Sequence, residues 1–387
     1  MANSRRPSSK QRTSAAPSNE IVAPVERHVA NTVHIVFAAW IVAMLAMAWL
    51  ATDTYEAMLE EDRAVEWATV WLFGAAAVMF VRDGIRKRMI FTILVGLFCF
   101  FVAGEEFSWG QRILGFGSPE YFMANNYQQE LNLHNLPGEV VKPKWIFMIA
   151  LAGYGIILPL LARSKDAKPL LVKVGAEAPS MAMLWWFVAA IILLLWYPAD
   201  LTGEWVECLA GALFLACARM RTKTLWILFA IAPIFGIAMT DISEALARRN
   251  AASATGGGNE SAHVECAKIE VQAMVKDLEG GAVRSKLKKK SSIHKRMWAA
   301  INESYVRQKD LDAYDSVSCT GESADAKSRR TYFVDPWGVS YWIHAENDDD
   351  GNKRIAVYSF GPNRRRDGEA GYPEGDDVAA IGTYIEE

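Results

Sequence analysis

The feature that most constrains this chain is a series of long apolar runs separated by short charged clusters. The runs cover roughly residues 32–52, 65–81, 89–104, 145–162, 180–198, 204–218 and 224–240. A helix needs about 20 mostly apolar residues to cross the roughly 30 Å hydrocarbon core of a bilayer. The pattern therefore predicts a multi-pass α-helical membrane domain of about seven spans over residues 31–245. The average composition, 52% hydrophobic, hides this division.

The loops between the predicted spans alternate in charge. Lys and Arg collect in the N-terminal tail and in the loops Arg82–Arg88, Arg163–Lys173 and Arg219–Lys223. The alternate loops are acidic or neutral, and Asp53–Asp62 is the most acidic of them. Because basic loops stay in the cytoplasm, we expect a bacterial inner-membrane protein with a cytoplasmic N-terminus. Seven crossings then place the C-terminal domain in the periplasm.

The rest of the chain divides into three segments. Residues 1–30, rich in Ser, Pro, Ala and Arg, predict a disordered cytoplasmic tail. Residues 246–262 have the Gly, Ser and Ala composition of a linker, and residues 263–387 form a soluble domain. The formal net charge of −3 says little about partners other than the lipid bilayer. We expect no nucleic-acid partner, because the sequence has no basic face with interleaved aromatics.

The five cysteines divide between the two parts of the chain. Cys99, Cys208 and Cys217 fall in predicted spans, where a thiol is an ordinary small apolar side chain. Cys266 and Cys319 are the two in the exported domain, and an oxidising compartment would let them pair. Sequence alone does not bring their Cα atoms within bridging distance, so both the paired and the unpaired state stay open.

Acidic residues cluster where predicted spans reach the non-cytoplasmic face. Charges at that boundary mark either helix-end locks or an ion path or active site. Arg112 suits the first alternative, since it can pair with Glu105 or Glu106. Under the second, the groups would be metal ligands or acid/base groups acting on a hard cation or a lipid head group. The candidate residues are Glu105, Glu106, His134, Glu204, Glu207, Asp241 and Glu244.

Two motifs in this region resemble a group of bacterial multi-pass membrane proteins of unknown function. They are GEEFSWGQR, residues 104–112, and NLHN, residues 132–135. The resemblance covers roughly residues 30–245 and supplies no activity. It implies that the two segments belong to one site.

The soluble domain has an α+β pattern, with one helix packed on a small antiparallel sheet. A helix is predicted from His263 onwards, with an apolar stripe at Ile269, Met274, Val275 and Leu278. Two β-segments flank the turn Asp335-Pro336-Trp337-Gly338, and a further strand spans Arg354–Phe360. Residues 361–382 are predicted to form a long Gly-rich loop.

This order, a helix, then DPWG, a hairpin, SFGPN and a Gly-rich loop ending in Asp-Asp, resembles the C-terminal part of the major pseudopilin of type II secretion systems. The resemblance implies a calcium site in the final loop, and carboxylate and amide oxygens on an exported loop also suit this hard cation. In two respects the chain departs from the family: it has Asn363 where Asp is usual and an insertion at Arg364–Arg366. The implied metal residues are Ser359, Phe360, Asn363, Asp376 and Asp377.

Two functions from different classes remain open at this point. The first is a binding or assembly protein that displays a calcium-stabilised module and contacts pseudopilins or other secretion components. The second is a membrane enzyme or ion-coupled protein that uses the acidic boundary residues. The sequence does not decide whether the chain is an enzyme.

Overall fold

The computed structural model describes residues 29–60, 62–119, 121–122, 126, 130–133, 143–199, 201–254, 260–279, 291–292, 334–339, 341–347, 353–364, 366–367 and 372–384. Most of the predicted N-terminal tail, His134, Cys319 and the side chain of Arg112 lie outside these residues.

The membrane part is built of helices. In chain order they are α1 (Val29–Leu50), α2 (Thr52–Leu59), α3 (Ala64–Lys87), α4 (Ile90–Glu106), α5 (Gln111–Leu114), α6 (Pro143–Ala152), α7 (Leu158–Leu161), α8 (Lys168–Lys173), α9 (Met181–Trp196), α10 (Thr202–Cys217) and α11 (Thr222–Ala254). A single π turn, Gly153–Ile157, joins α6 to α7 as one continuous rod.

Every predicted span coincides with a helix, and four of these helices are long and apolar enough to cross a membrane. They are Thr32–Leu50, Ala64–Lys87, Lys144–Leu161 and Thr222–Leu246. The other three, α4, α9 and α10, have 17, 16 and 16 residues. A helix of that length is about 24 Å long, shorter than the hydrocarbon core of about 30 Å. The four long helices are those of a membrane protein, whereas the count of seven spans stays a prediction.

Helices α3 and α10 form the centre of this part. Helix α3 packs against α4, α10 and α11, and α10 also packs against α9. The side chains of α10 are buried along almost its whole length, including Trp205, Leu209 and Leu213 at 0% exposure. Trp205 Nε1 donates a hydrogen bond to Tyr55 Oη at 3.1 Å, which fixes α2 against α10. The bundle core therefore lies around α10.

The C-terminal unit is one helix, α12 (Glu260–Glu279), packed on an antiparallel sheet. The strands are β1 (Ser291–Ser292), β2 (Trp342–Asn347), β3 (Lys353–Ser359) and β4 (Val378–Tyr384), in the order β1-β2-β3-β4. Ile343 pairs with Val357, and Val357 with Ala380. Helix α12 contacts β3 and β4 and buries Val271, Met274 and Val275 against them. The predicted helix on a small antiparallel sheet is thus present.

The Asp335-Pro336-Trp337-Gly338 turn forms as predicted. Gly338 N donates to Asp335 O at 3.0 Å, and Gly338 has φ +90°, a left-handed conformation that glycine adopts without strain. The Asp335 carboxylate accepts hydrogen bonds from Trp337 N at 3.0 Å and Val339 N at 2.8 Å. It also accepts one from Ser359 Oγ at 2.6 Å. This buried carboxylate therefore joins the turn to the end of β3.

Three details of the prediction are wrong. Ile269 is 48% exposed, because the buried face of α12 follows Cys266, Glu270, Met274 and Val275. The predicted Gly-rich loop of 361–382 ends at Asp377, since Val378–Tyr384 is a strand that pairs with β3. Helix α11 continues to Ala254, into the segment predicted to be a linker.

The cysteines of the helical bundle and the described cysteine of the C-terminal unit are in different states. Cys99, Cys208 and Cys217 are free thiols in the helical bundle. Cys266 on α12 is disulfide-bonded. This is the state that an oxidising compartment would give, and it agrees with the paired alternative for this residue.

Candidate functional site

The first candidate site lies at the end of the bundle where α4 finishes and α3 and α10 begin. We call it the acidic end, defined by Glu66, Glu106, Glu204 and Glu207. Glu105, beside it, is only 5% exposed and serves as a lock. Its carboxylate accepts hydrogen bonds from Trp109 Nε1 at 2.7 Å and from Leu133 N. A buried carboxylate with two such donors holds the loop in place, which is the structural alternative considered for this residue.

The two sequence motifs meet at this lock. Ser108 Oγ donates to Glu130 Oε2 at 2.8 Å, and Asn132 Nδ2 donates to Ser108 Oγ at 3.1 Å. Asn126 Nδ2 donates in turn to Asn132 O at 2.8 Å. The segment 104–112 and the start of the segment 132–135 therefore form one hydrogen-bonded structure, and their membership of one functional site stays a prediction.

A sharp backbone reversal after α4 makes this possible. Ser108, Trp109 and Gly110 all have left-handed φ values, of +48°, +54° and +84°. The reversal folds the Trp109 ring back against Gly104, so closely that a Cβ atom on Gly104 would lie 2.9 Å from the ring. Non-glycine residues in this region of φ/ψ space are strained and persist only where surrounding contacts impose them. Here the hydrogen bonds of Glu105 and Ser108 hold the backbone in this conformation.

Glu106 points away from the lock and toward α10. Its carboxyl group lies close enough to that of Glu207 on α10 for the two groups to interact. Glu66 at the start of α3 and Glu204, one turn before Glu207, are close enough to act electrostatically on Glu106. Two carboxyl groups hydrogen-bond to each other only when one carries a proton. The pair is thus suited to hold a proton or, when both groups are ionised, a cation.

The other acidic candidates lie elsewhere. Asp241 and Glu244 stand on α11, Asp241 is exposed, and neither is among the charges that act on Glu106. Lys144 at the start of α6 acts on Glu207 and places its Nζ 3.6 Å from the centre of the Tyr197 ring. Of the predicted residues, the structure therefore brings together Glu106, Glu204 and Glu207. Lys144 and Glu66 were missed, although both stand at a predicted span end.

The second candidate site is the loop between β3 and β4. One carboxylate oxygen each of Asp367, Asp376 and Asp377 lies within 4.8 Å of the others. Asp376 N donates to Asp367 Oδ2 at 3.2 Å, and Asp367 N donates to Asp377 Oδ2 at 3.0 Å. We call these three residues the acidic triad. The backbone hydrogen bonds fold the two ends of the loop together, so that the three carboxylates face one another.

Two glycines permit this close approach. Gly361 has φ +67°, and a Cβ atom there would lie 2.1 Å from Asp376 O. Gly375 has φ +56°, and its Cβ atom would lie 2.2 Å from Asp367 Oδ2. Any larger residue would push the chain away from the triad.

Of the other three predicted metal residues, Asn363 contacts the triad, whereas the side chains of Ser359 and Phe360 have other contacts. Asn363 is close, since its Nδ2 donates to Asp367 Oδ1 at 2.8 Å. The Ser359 hydroxyl is engaged by Asp335 and by Gly361 N, at 2.6 and 3.0 Å. The Phe360 ring stacks on Trp342 with ring centres 5.7 Å apart. The side chains of Ser359 and Phe360 therefore support the loop.

The three carboxylates of the acidic triad are close enough together to contact a single cation. Oxygen ligands lie about 2.3–2.6 Å from Ca²⁺, so oxygens on opposite sides of one ion are separated by about 5 Å. The separation of at most 4.8 Å within the triad fits that limit. Asp367 was not predicted as a ligand, although the Asp-Gly step four residues after Asn363 was a usable signal. No protein family, curated protein or solved structure matches this chain.

Proposed function

We propose that this chain is an integral membrane binding or assembly protein that displays a calcium-stabilised, pseudopilin-like module outside the cytoplasm. The module is the C-terminal unit of α12 and the sheet. The observation that carries the proposal is the acidic triad of Asp367, Asp376 and Asp377, held within 4.8 Å on a loop of a unit with its own buried core. Its partners would be pseudopilins or other components of type II secretion.

The position of the unit supports its display outside the cytoplasm. Arg366 in the β3–β4 loop forms an ion pair with Glu60, at the end of α2. The unit thus contacts the acidic loop between α2 and α3, at the opposite end of α3 from Arg86 and Lys87. Under the positive-inside rule the end that carries Lys and Arg faces the cytoplasm. The proposal places the acidic end, and the unit with it, in the periplasm of a bacterial inner membrane.

Calcium would join the two ends of the β3–β4 loop. Asp367, Asp376 and Asp377 would hold it, with Asn363 beside them, and the ion would supply the positive charge that offsets three neighbouring carboxylates. Other residues of the chain shape the loop around this site. Gly361 and Gly375 allow the close approach, and Asp335 anchors the loop to the turn at Gly338. A loop closed in this way presents one fixed surface to a partner.

Calcium binding is tested on the full chain in detergent. We expect the unfolding temperature of the C-terminal unit to rise with Ca²⁺ relative to EGTA, because a ligand that binds the native state stabilises it. The double variant Asp376→Asn/Asp377→Asn should lose this rise. The matched control, Asp241→Asn/Glu244→Gln on α11, removes two carboxyl charges elsewhere and should keep it. A rise that persists in the triad variant would overturn the calcium assignment.

Partner binding is tested by site-specific photocrosslinking in cells that carry a type II secretion system. A photoreactive residue at Ile381, which is 53% exposed on β4, would report contacts of the unit. The same residue at Ile90, which is 71% exposed on α4, serves as the control. Crosslinks to a pseudopilin from Ile381 that disappear in the triad variant would support the proposal. Crosslinks that are the same from both positions would contradict it.

A second candidate function is favoured by the Glu106–Glu207 pair. A carboxyl pair at the end of a helical bundle is a common element of proton and cation paths. Trp67, only 2% exposed and next to Glu66, has an indole N–H without a hydrogen-bond partner among the described residues. The ring of Trp67 contacts Phe107, the neighbour of Glu106, at 6.4 Å between ring centres. The acidic end thus combines proton-holding groups with a buried donor.

This candidate is an ion-coupled protein, and its test is flux in reconstituted vesicles. A pH-sensitive dye inside the vesicles would report proton movement when a Na⁺ or K⁺ gradient is applied. We expect Glu106→Gln and Glu207→Gln to abolish such movement, while Asp241→Asn leaves it intact. Wild-type protein that moves neither protons nor these cations would remove this candidate and leave the first proposal untouched.

A further inference from the structure

A cavity of about 380 Å³ lies at the opposite end of the bundle from the acidic end. We call this the basic end, because the loops Arg82–Arg88 and Arg219–Lys223 are there. The cavity opens between the end of α3, the start of α4 and the segment before α9. Its volume is within the range of about 300–1,000 Å³ that small-molecule sites occupy. Neither function considered above uses it.

The inner walls of the cavity are apolar. They are formed by Phe80 on α3, Val95 on α4, Met183 on α9 and Leu225 on α11. All four side chains are buried, with exposures of 4–9%. Such a lining favours an aliphatic chain and disfavours a polar metabolite, because a polar group placed there would lose its hydrogen bonds to water.

One buried polar group interrupts this lining. Thr92 is only 4% exposed, lines the cavity, and its hydroxyl has no hydrogen-bond partner among the described residues. Other helical threonines of this chain donate to the carbonyl four residues earlier, Thr69 to Val65 O at 2.9 Å and Thr240 to Gly236 O at 3.0 Å. For Thr92 that position falls before the start of α4 at Ile90, and no such bond forms. Its hydroxyl is therefore buried beside the cavity and has no hydrogen-bond partner among the described residues.

The start of α4 adds a preference for negative charge. Met89, which precedes the helix, makes no side-chain capping hydrogen bond to the first N–H groups of α4. Uncapped N–H groups and the helix dipole together attract anions. Phe91 and Thr92 of this first turn both line the cavity. The anion preference and the unpartnered hydroxyl thus coincide at one place.

The charged side chains that line the cavity are Asp83, Glu177 and Arg219, and both carboxylates are paired with basic side chains. Asp83 pairs with Arg86 at 3.1 Å and Lys87 at 2.5 Å. Glu177 pairs with the same Lys87 at 3.2 Å and with Arg219 Nε at 2.9 Å. Arg86 and Lys87 do not line the cavity, but together with Arg219 they neutralise both of its carboxylates. An anionic head group can be accommodated there without facing an unpaired carboxylate.

We propose that this cavity binds a single-chain anionic lipid, with its head group at Thr92 and the start of α4 and its tail against Phe80, Val95 and Met183. The shared chemistry of the ligand is one alkyl chain with a carboxylate or a phosphate head. The site would let the protein sense or carry such a lipid at the basic end of the bundle. This proposal does not depend on the acidic triad or on the Glu106–Glu207 pair.

The test uses the full chain in nanodiscs and a photoreactive palmitate analogue, with crosslinks located by mass spectrometry. Crosslinks should fall on the peptides that contain Phe80, Val95 or Met183. Unlabelled palmitate and palmitoyl lysophosphatidic acid compete in separate experiments, which distinguishes a carboxylate head from a phosphate head. Hexadecanol has the same chain without charge and should compete at least about tenfold more weakly. Equal competition by hexadecanol would overturn the proposed anionic head.

Two variants test the position of the ligand. Thr92→Val keeps the side-chain shape and removes only the unpartnered hydroxyl, so it should fold normally and bind palmitate about tenfold more weakly. Met183→Trp fills the cavity and should prevent crosslinking there. Thr240→Val is the matched control for the hydroxyl and should leave binding unchanged. Crosslinking that is the same in wild type, Thr92→Val and Met183→Trp would show that lipid binds only to the bilayer-facing surface and would overturn the proposal.

Discussion

Arg366, in the loop between β3 and β4, donates a hydrogen bond to the carboxylate of Glu60, which lies 306 residues earlier in the chain. The side chains are 15% and 19% exposed. Arg63 contributes to the same contact, since its guanidinium lies 3.5 Å from Arg366 O. Burial would lower the pKa of Arg366, but the neighbouring Glu60 and Tyr358 outweigh it and raise the pKa. Arg366 is therefore protonated at every physiological pH.

We expect this ion pair to hold the C-terminal unit against the helical bundle. Arg366→Gln leaves Glu60 without its partner and should weaken the contact by about 1–3 kcal/mol. Spin labels at Ala57 and Ile381 would report it as a broader distance distribution in the variant. Arg354→Gln, in β3, is the control and should leave the distribution narrow. Restoration by the charge exchange Glu60→Arg/Arg366→Glu would confirm the pairing, and an unchanged distribution in Arg366→Gln would contradict it.

The acidic triad predicts an effect whose sign depends on calcium. Without a cation, the three carboxylates within 4.8 Å repel one another. Asp367→Asn should therefore raise the unfolding temperature of the full chain in EGTA and reduce the further rise on adding Ca²⁺. Calorimetry in both conditions gives the two values. A variant that is less stable than wild type in EGTA would show that Asp367 stabilises the loop without an ion.

Gly104 and Gly74 give a matched pair for the turn after α4. Alanine at an ordinary helical glycine stabilises by about 0.5–1 kcal/mol. Gly74 has open space around it, so Gly74→Ala should show that gain. Gly104→Ala would place its Cβ 2.9 Å from the Trp109 ring and should instead destabilise the turn. Thermal unfolding and Trp fluorescence in detergent check both variants, and a gain at both positions would mean that Trp109 moves without cost.

Tyr341 and Glu270 predict how the C-terminal unit is stabilised. Both are 0% exposed, and the Tyr341 hydroxyl donates to the Glu270 carboxylate on α12. Tyr341→Phe removes a donor from a buried carboxylate and should lower the free energy of unfolding of the unit by about 1–3 kcal/mol. Hydrogen exchange of the amides in β2 and β3 measures this in the full chain. Tyr372→Phe, at a side chain that is 50% exposed, should have little effect; an equal loss at both would argue against this role of Glu270.

Short sequence patterns predicted most helices and the Asp335–Gly338 turn, because neighbouring residues in the chain determine these structures. The apolar runs became helices, and the Asp335-Pro336-Trp337-Gly338 turn formed because Asp335 and Gly338 fix the backbone themselves. Strand β4 was missed because VAAIGTY follows a Gly-rich stretch and has only weak alternation. Its strand conformation comes from pairing with β3 and packing under α12, which no window of sequence contains.

The candidate sites, too, depend on contacts between residues that are far apart in the sequence. The meeting of Ser108 with Asn132 was expected only through a resemblance, since the residues are 24 positions apart. The pairing of Glu106 with Glu207 depends on how α4 packs beside α10, and hydrophobic periodicity specifies a face without naming its partner. Asp367 joins the triad through two left-handed glycines, Gly361 and Gly375, whose φ values were not predictable from composition.

The burial of α10 has a consequence for how the protein is made. A helix that contacts protein on every side, and that begins with Glu204 close to Glu207, gains little from dissolving alone in lipid. As one of the predicted spans, α10 is expected to need helices that have entered the bilayer before it, above all α3, which is synthesised earlier and packs along it. We therefore expect a circular permutation that places α10 first in the chain to impair the insertion of this helix.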